Sequence, residues 1–234
     1  MATKRFTVVR GKRLRITRLD ECGNPPEDAT PCSFVVTKGF ISVALSAEIE
    51  TGDDIVEKNA DGDLCINDKS RDQFKRWNVE ASFCEVDPSI LDMMTNVVVE
   101  TDYDDNIVGV RQPEGASIDS FALELWTGVP GSDCVPGEAT NYGYLLLPFV
   151  VGGPLGDVTI ENGAATFPVT SFTKGSGGWG EGPYDVVPTD AENTPGRLAT
   201  PMGPKEHMLM RLTTIAPPDI SEGCEDMPEW EPVE

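Results

Sequence analysis

The chain carries a single histidine, His207, in the run PKEHMLM. A Ser-His-Asp hydrolase needs such a base, but also a serine on a sharp turn, and no Gly-x-Ser-x-Gly segment occurs. A metal triad built on one imidazole would draw carboxylates from scattered positions, so His207 reads as a surface or strand-edge residue. The 40 acidic residues supply any number of candidate glycosidase pairs, and that abundance removes the information from each pair. The glycines at 175 to 182 lack the closing Gly-Lys-Ser/Thr and the strand-to-helix setting of a phosphate loop. Asn59, Asp61 and Asp63 around Gly62 open like a calcium loop, but the distant glutamate is absent and turn chemistry asks for the same residues. The six cysteines contain no Cys-x-x-Cys pair. They read as buried free thiols, with Cys22 and Cys32, which flank a proline-rich loop, as a pair able to bridge in an oxidising exterior. Trp179 and Tyr184 offer sugar-stacking faces in the glycine-rich stretch, or packing against the body. These readings predict no catalytic residues, no metal and no cofactor.

The elements that would position any site are mostly strands. Ile41, Val43, Leu45, Ala47 and Ile49 alternate with Ser42, Ala44, Ser46, Glu48 and Glu50, and Lys75, Trp77, Val79, Ala81 and Phe83 alternate with Arg76, Asn78, Glu80 and Ser82. This period of two gives each strand one dry and one wet face, and puts Ile41, Val43, Leu45, Trp77, Val79 and Phe83 in the core. A helix start follows, with Asp87 as N-cap, Pro88 at the first helical position and Val86 stapling onto Leu91. The helix SILDMMT is expected on the outside of the fold, with Leu91 and Met94 against the sheet.

Residues 5 to 19 read as an opening strand, with Leu14 and Ile16 on one face and Arg13, Arg15 and Thr17 on a cationic one. Residues 51 to 72 read as a long polar connection, 97 to 111 as a hairpin, and 118 to 126 as a strand with Phe121, Leu123 and Leu125 opposite Ser120 and Glu124. Tyr142 to Val151 is apolar enough for a strand buried on both sides. Glu161, Asn162 and Gly163 mark a second hairpin. Residues 174 to 205 are a Gly/Pro-rich excursion, 208 to 215 a last strand, and 217 to 234 an acidic, proline-containing tail, extended and either free or laid on a neighbouring subunit. The expected organisation is one domain over 1–216 with long loops at 51–72 and 174–205, followed by that tail.

The net charge of −22 excludes binding of nucleic acid by general attraction to phosphates. Seven of the 18 basic residues lie in the first 18 positions, so a cationic end sits on an acidic body. No run approaches the ~20 apolar residues of a membrane span, and the charged N-terminus lacks a signal-peptide core, which predicts a protein made in a cytoplasm.

The runs RLDECGNP at 18–25, CINDKSRDQFKRWNVEASFCEVDPSILDMMT at 65–95 and TNYGYLLLPFV at 140–150 carry a resemblance, most specific in 65–95. The chain resembles the major tail protein, or tail tube protein, of long-tailed (siphovirus-type) bacteriophages infecting actinobacteria. The resemblance implies a mainly β fold of two packed antiparallel sheets, a β-sandwich or barrel, with one short flanking helix and long arms. It implies a structural virion protein whose rings, six copies each, stack into a tail tube. It also implies partners in further copies of itself, a tape measure protein, and tail terminator and baseplate proteins, with genomic DNA passing through unbound and no membrane. Under this reading Ser42, Ser46, Glu48, Glu50, Asn78, Glu80 and Ser82 line an acidic lumen, and Arg13, Arg15 and Arg18 meet acids of a neighbour such as Asp53 and Asp54 or the tail at Glu222 to Asp226. The other class of protein compatible with the sequence is a β-sandwich virion decoration protein or carbohydrate-binding module.

Overall fold

The computed structural model describes residues 7–27, 29–95, 97–115, 119–130, 140–158, 166–183 and 186–228. The fold is mainly β, with antiparallel sheets consistent with a sandwich and, among the described residues, no closed barrel. Its main sheet orders β2 (Phe34–Thr37), β1 (Val9–Leu19), β9 (Ser120–Gly128), β10 (Tyr142–Val151), β11 (Phe167–Thr173), β6 (Gln73–Phe83) and β3 (Phe40–Glu50). β14 (Leu209–Thr213) also pairs with β10. β10 meets β11 through only two residue pairs, Val150 with Thr173 and Val151 with Phe172. The sheet turns there, so Leu14, Ile16, Phe121 and Leu123 from one half share a core with Val79, Ala81, Phe83 and Val169 from the other.

The helix α1 (Pro88–Met94) starts as the sequence dictates. The Asp87 carboxylate accepts the Ser89 N–H at 2.8 Å, and Pro88 occupies the first turn, where its missing donor costs nothing. Leu91 and Met94 join the core shared with β1 and β9, as expected. Ile90, Met93 and Met94 are fully buried with Leu91 nearly so, and the hairpin of β7 (Val98–Thr101) and β8 (Ile107–Arg111) packs on the helix as well. Arg18 ties it to the sheet, donating to Asp92 at 2.6 Å and to Asp119 at 2.5 Å. Replacing Asp87 with alanine should cost about 1 kcal/mol in chemical denaturation, the usual worth of a cap, and an unchanged midpoint would show that the cap does not hold the helix start.

The second face of the sheet is covered by the Gly/Pro-rich region. Trp179, Val186, Val187, Leu198 and Met202 are buried there against Ala122, Trp126, Tyr144 and Leu146. These anchors hold 174–205 on its own chain as a lid, with one short pairing between β12 (Val187–Pro188) and β13 (Pro195–Gly196). Its glycines permit close approach: a Cβ on Gly178 would lie 1.7 Å from Asn24 Oδ1.

The acidic tail also departs from expectation over the residues described. Residues 221–227 run back along β2 and the turn before it, and Cys224 forms a disulfide with Cys32. The suggested Cys22–Cys32 bridge is thus replaced by one closing a separation of 192 residues, and Cys22, Cys65 and Cys84 are exposed free thiols rather than buried ones. The hairpin turn expected at Glu161, Asn162 and Gly163 lies outside the described residues.

Candidate assembly surface

The β3–β6 hairpin positions most of the residues singled out by alternation. Its register pairs Ser42 with Ser82, Ala44 with Glu80, Ser46 with Asn78 and Glu48 with Arg76, which gathers the wet residues on one solvent-facing side. Glu50, opposite Gln73, extends this row beyond a bulge after Glu48. The face is less acidic than its composition suggests. Glu48 is 2.9 Å from Lys75 Nζ and accepts from Arg76 Nε at 2.5 Å, and these hydrogen bonds hold its carboxyl below the ordinary range.

The dry side behaves differently along its length. Val79, Ala81 and Phe83 are fully buried, Val43 and Leu45 pack partly against the same core, and Trp77 is half-buried. Past Trp77 the same side emerges into solvent, with Phe74 47% and Ile49 59% exposed. Ile41 is 54% exposed, which corrects its core assignment: it is the extra residue of a bulge between Phe40 and Ser42 and has no partner on β6. Phe74 meets the His207 ring edge-on at 5.2 Å, and His207 Nδ1 lies 2.9 Å from Thr173 Oγ1. Partial burial pushes the His207 pKa down.

Beyond Glu50 the segment read as a polar connection is a second ribbon, β4 (Asp54–Lys58) paired with β5 (Leu64–Lys69). Asn59 Oδ1 accepts from the Asp61 and Asp63 amides at 3.0 and 2.8 Å, so the calcium-like residues close a tight turn. Every residue of β4 and β5 is exposed, including Ile55, Val56, Leu64 and Ile66 at about half their area. A two-stranded ribbon with no layer against it is marginal alone, and apolar side chains at this density gain from a partner surface. The outer edge of β3 is unpaired among the described residues, since the strand ends the sheet with only β6 beside it. The opposite end of the sheet, β2, is sealed by the C-terminal segment.

The cationic residues divide. Arg15 is buried and forks onto Glu124 at 2.6 and 2.7 Å, with its guanidinium 5.0 Å from the Trp126 ring. Arg18 is engaged by Asp92 and Asp119. Both are committed within the chain, which removes Arg15 from any set offered to a neighbour and occupies Arg18. Arg13 is half-buried and its Nη1 donates to the Lys12 carbonyl, while Asp53 and Asp54 are exposed at the root of the ribbon. Of the two aromatics on which sugar binding would rest, Trp179 is 3% exposed and faces the core, and Tyr184 lies outside the described residues.

Sequence reasoning missed these exposed apolar side chains, because Ile55, Val56, Leu64 and Ile66 are spread among acids in a segment whose average is polar. The available signal was β-branched and apolar residues on both sides of an Asn-Ala-Asp-Gly-Asp turn. No protein-family model matches the chain, and no curated protein matches it.

Proposed function

We propose that the chain is a self-assembling structural subunit, a phage tail tube protein whose copies join into rings that stack into a tube. The observation that carries this reading is the β3–β6 hairpin and its β4–β5 extension, which run past the core with apolar side chains exposed on both faces of the ribbon, and with the outer edge of β3 unpaired among the described residues. Edges of this kind are a hazard on a lone molecule and are removed when sheets close around a ring. In that arrangement β3 pairs with a neighbouring copy, the exposed apolar side chains of the hairpin end and the ribbon, among them Ile49, Phe74, Leu64 and Ile66, pack on other copies, and the face bearing Ser42, Ser46, Glu48, Glu50, Asn78, Glu80 and Ser82 turns to the lumen. Serine, asparagine and glutamate there, with the Arg76 guanidinium held by Glu48, give a passing DNA backbone little to bind.

The remainder follows from the resemblance: rings of six, assembly in a host cytoplasm, residence in the virion tail, contacts with tape measure, terminator and baseplate proteins, and no catalysis or cofactor. Arg13, Asp53 and Asp54 remain the exposed or half-exposed charges available to contacts between copies. Sedimentation velocity over a concentration series tests the self-association. Species at multiples of 25.3 kDa are expected, and a single monomer boundary at every concentration would remove the reading.

A further inference from the structure

The segment from Ser221 to Met227 closes the edge of β2 by backbone bonding. The outward groups of Phe34 exchange two bonds with Glu225, at 2.8 and 3.2 Å, and Val36 bonds Ser221 through its carbonyl at 3.1 Å and its amide, to Oγ, at 2.7 Å. Met227 is buried and accepts the Ala29 amide at 3.0 Å, while its own amide donates to Thr30 at 2.9 Å. The turn under this strap contains two residues in the left-handed region, Ala29 at φ 58° and Cys32 at φ 50°. Neither is glycine, so both conformations are disfavoured without support. Each is held by the strap, since the Cys32 amide donates to Asp226 Oδ1 at 2.9 Å and the Ala29 amide to Met227. The Cys32–Cys224 disulfide joins the same two pieces of chain.

We infer that this disulfide is a redox latch on the C-terminal strap: oxidised, it keeps the β2 edge closed, and reduced, it lets the strap lift and the edge open. The chemistry is thiol–disulfide exchange. A dithiol reductant gives two electrons and two protons, the Cys32–Cys224 bond breaks, each sulfur becomes a thiol, and the reductant closes to its own cyclic disulfide. With the bond gone, the strap is held by its edge hydrogen bonds, of which those between Val36 and Ser221 are buried and that from Cys32 to Asp226 exposed, and by one buried methionine, against a turn whose left-handed residues lose their support when it leaves. Such a segment belongs to the low-stability end of local opening, whereas the central strands do not. This inference stands apart from the assembly reading, because it concerns the opposite edge of the sheet.

The test is hydrogen exchange by mass spectrometry on the full chain, with and without dithiothreitol, together with a non-reducing peptide map. The map should contain a linked pair bearing Cys32 and Cys224. On reduction, amides at 29–36 and 221–227 should exchange faster by about ten-fold or more, with β9 and β10 unchanged. The Cys224→Ser protein should match the reduced one without reductant. Absence of the linked pair, unchanged exchange in the strap, or an equal rise across β9 and β10 would each overturn the latch.

Discussion

Replacing Glu124 with alanine should destabilise the chain by about 3 to 5 kcal/mol, measured by urea or guanidinium unfolding. The Glu124 side chain is fully buried, Arg15 is 7% exposed, and the Tyr144 hydroxyl donates to Glu124 Oε1 at 2.5 Å. Truncation removes the carboxylate that both the Arg15 guanidinium and the Tyr144 hydroxyl bond. Both groups are buried, so the loss of these bonds falls on the folded state alone. A protein with a typical ~5 to 15 kcal/mol of stability loses a large share of it. Replacing Arg15 and Glu124 together by methionine and leucine should cost much less than Glu124→Ala, because no buried charge is then stranded. A loss below about 1 kcal/mol for Glu124→Ala would mean that water reaches the pair and that the lid over this face is not closed.

Changing Leu64 and Ile66 together to aspartate should abolish association while leaving the fold intact. Both side chains are about half exposed in the single chain, so the monomer has little to lose and its unfolding midpoint should hold within about 0.5 kcal/mol. Completing the burial of an aliphatic side chain stabilises a contact by roughly half of its full ~1.5 to 3 kcal/mol. Two such losses amount to about 2 kcal/mol, ~30-fold in each contact, and the cost of burying two carboxylates comes on top. Contacts repeated around a ring multiply the effect. Association at the parent's concentration would show that the ribbon packs on nothing. A shifted midpoint would show that Leu64 and Ile66 support the monomer fold.

The strands of this fold were legible where one face is dry and the other wet. β3, β6, β10 and the β7–β8 hairpin lie where period and turn residues place them, and the Asp87–Pro88 helix start holds to the residue. The failures share a cause, which is that a single strand does not contain its partner. Glu124 looked like a solvent residue opposite Leu123 and Leu125, and Arg15 like part of a cationic surface. Pairing of β1 with β9 sets the two directly across from each other, and the lid then buries them. Ile41 obeyed the alternation, but a bulge on its strand removed it from the core. The 174–205 lid has no periodicity to read, because a few apolar anchors separated by turns hold it. Cys32 and Cys224 are too far apart in sequence for their pairing to show.

The candidate surface was half legible. The wet face of β3 and β6 came from alternation alone and is gathered as expected, whereas the exposed apolar side chains that ask for a partner depend on where the core ends. That boundary is a property of the packed sheets. The hairpin outruns the layer above it after Trp77, and only then do Ile49 and Phe74 lack cover.

Cryo-electron microscopy of the purified, concentrated protein tests the central claim most directly. Hollow rings or tubes are expected, in which β3 pairs with a neighbouring copy, Leu64 and Ile66 are buried against other copies, and Ser46, Asn78 and Glu80 face the channel. Discrete monomers at all concentrations, or an assembly with those three residues on its outer wall, would contradict it.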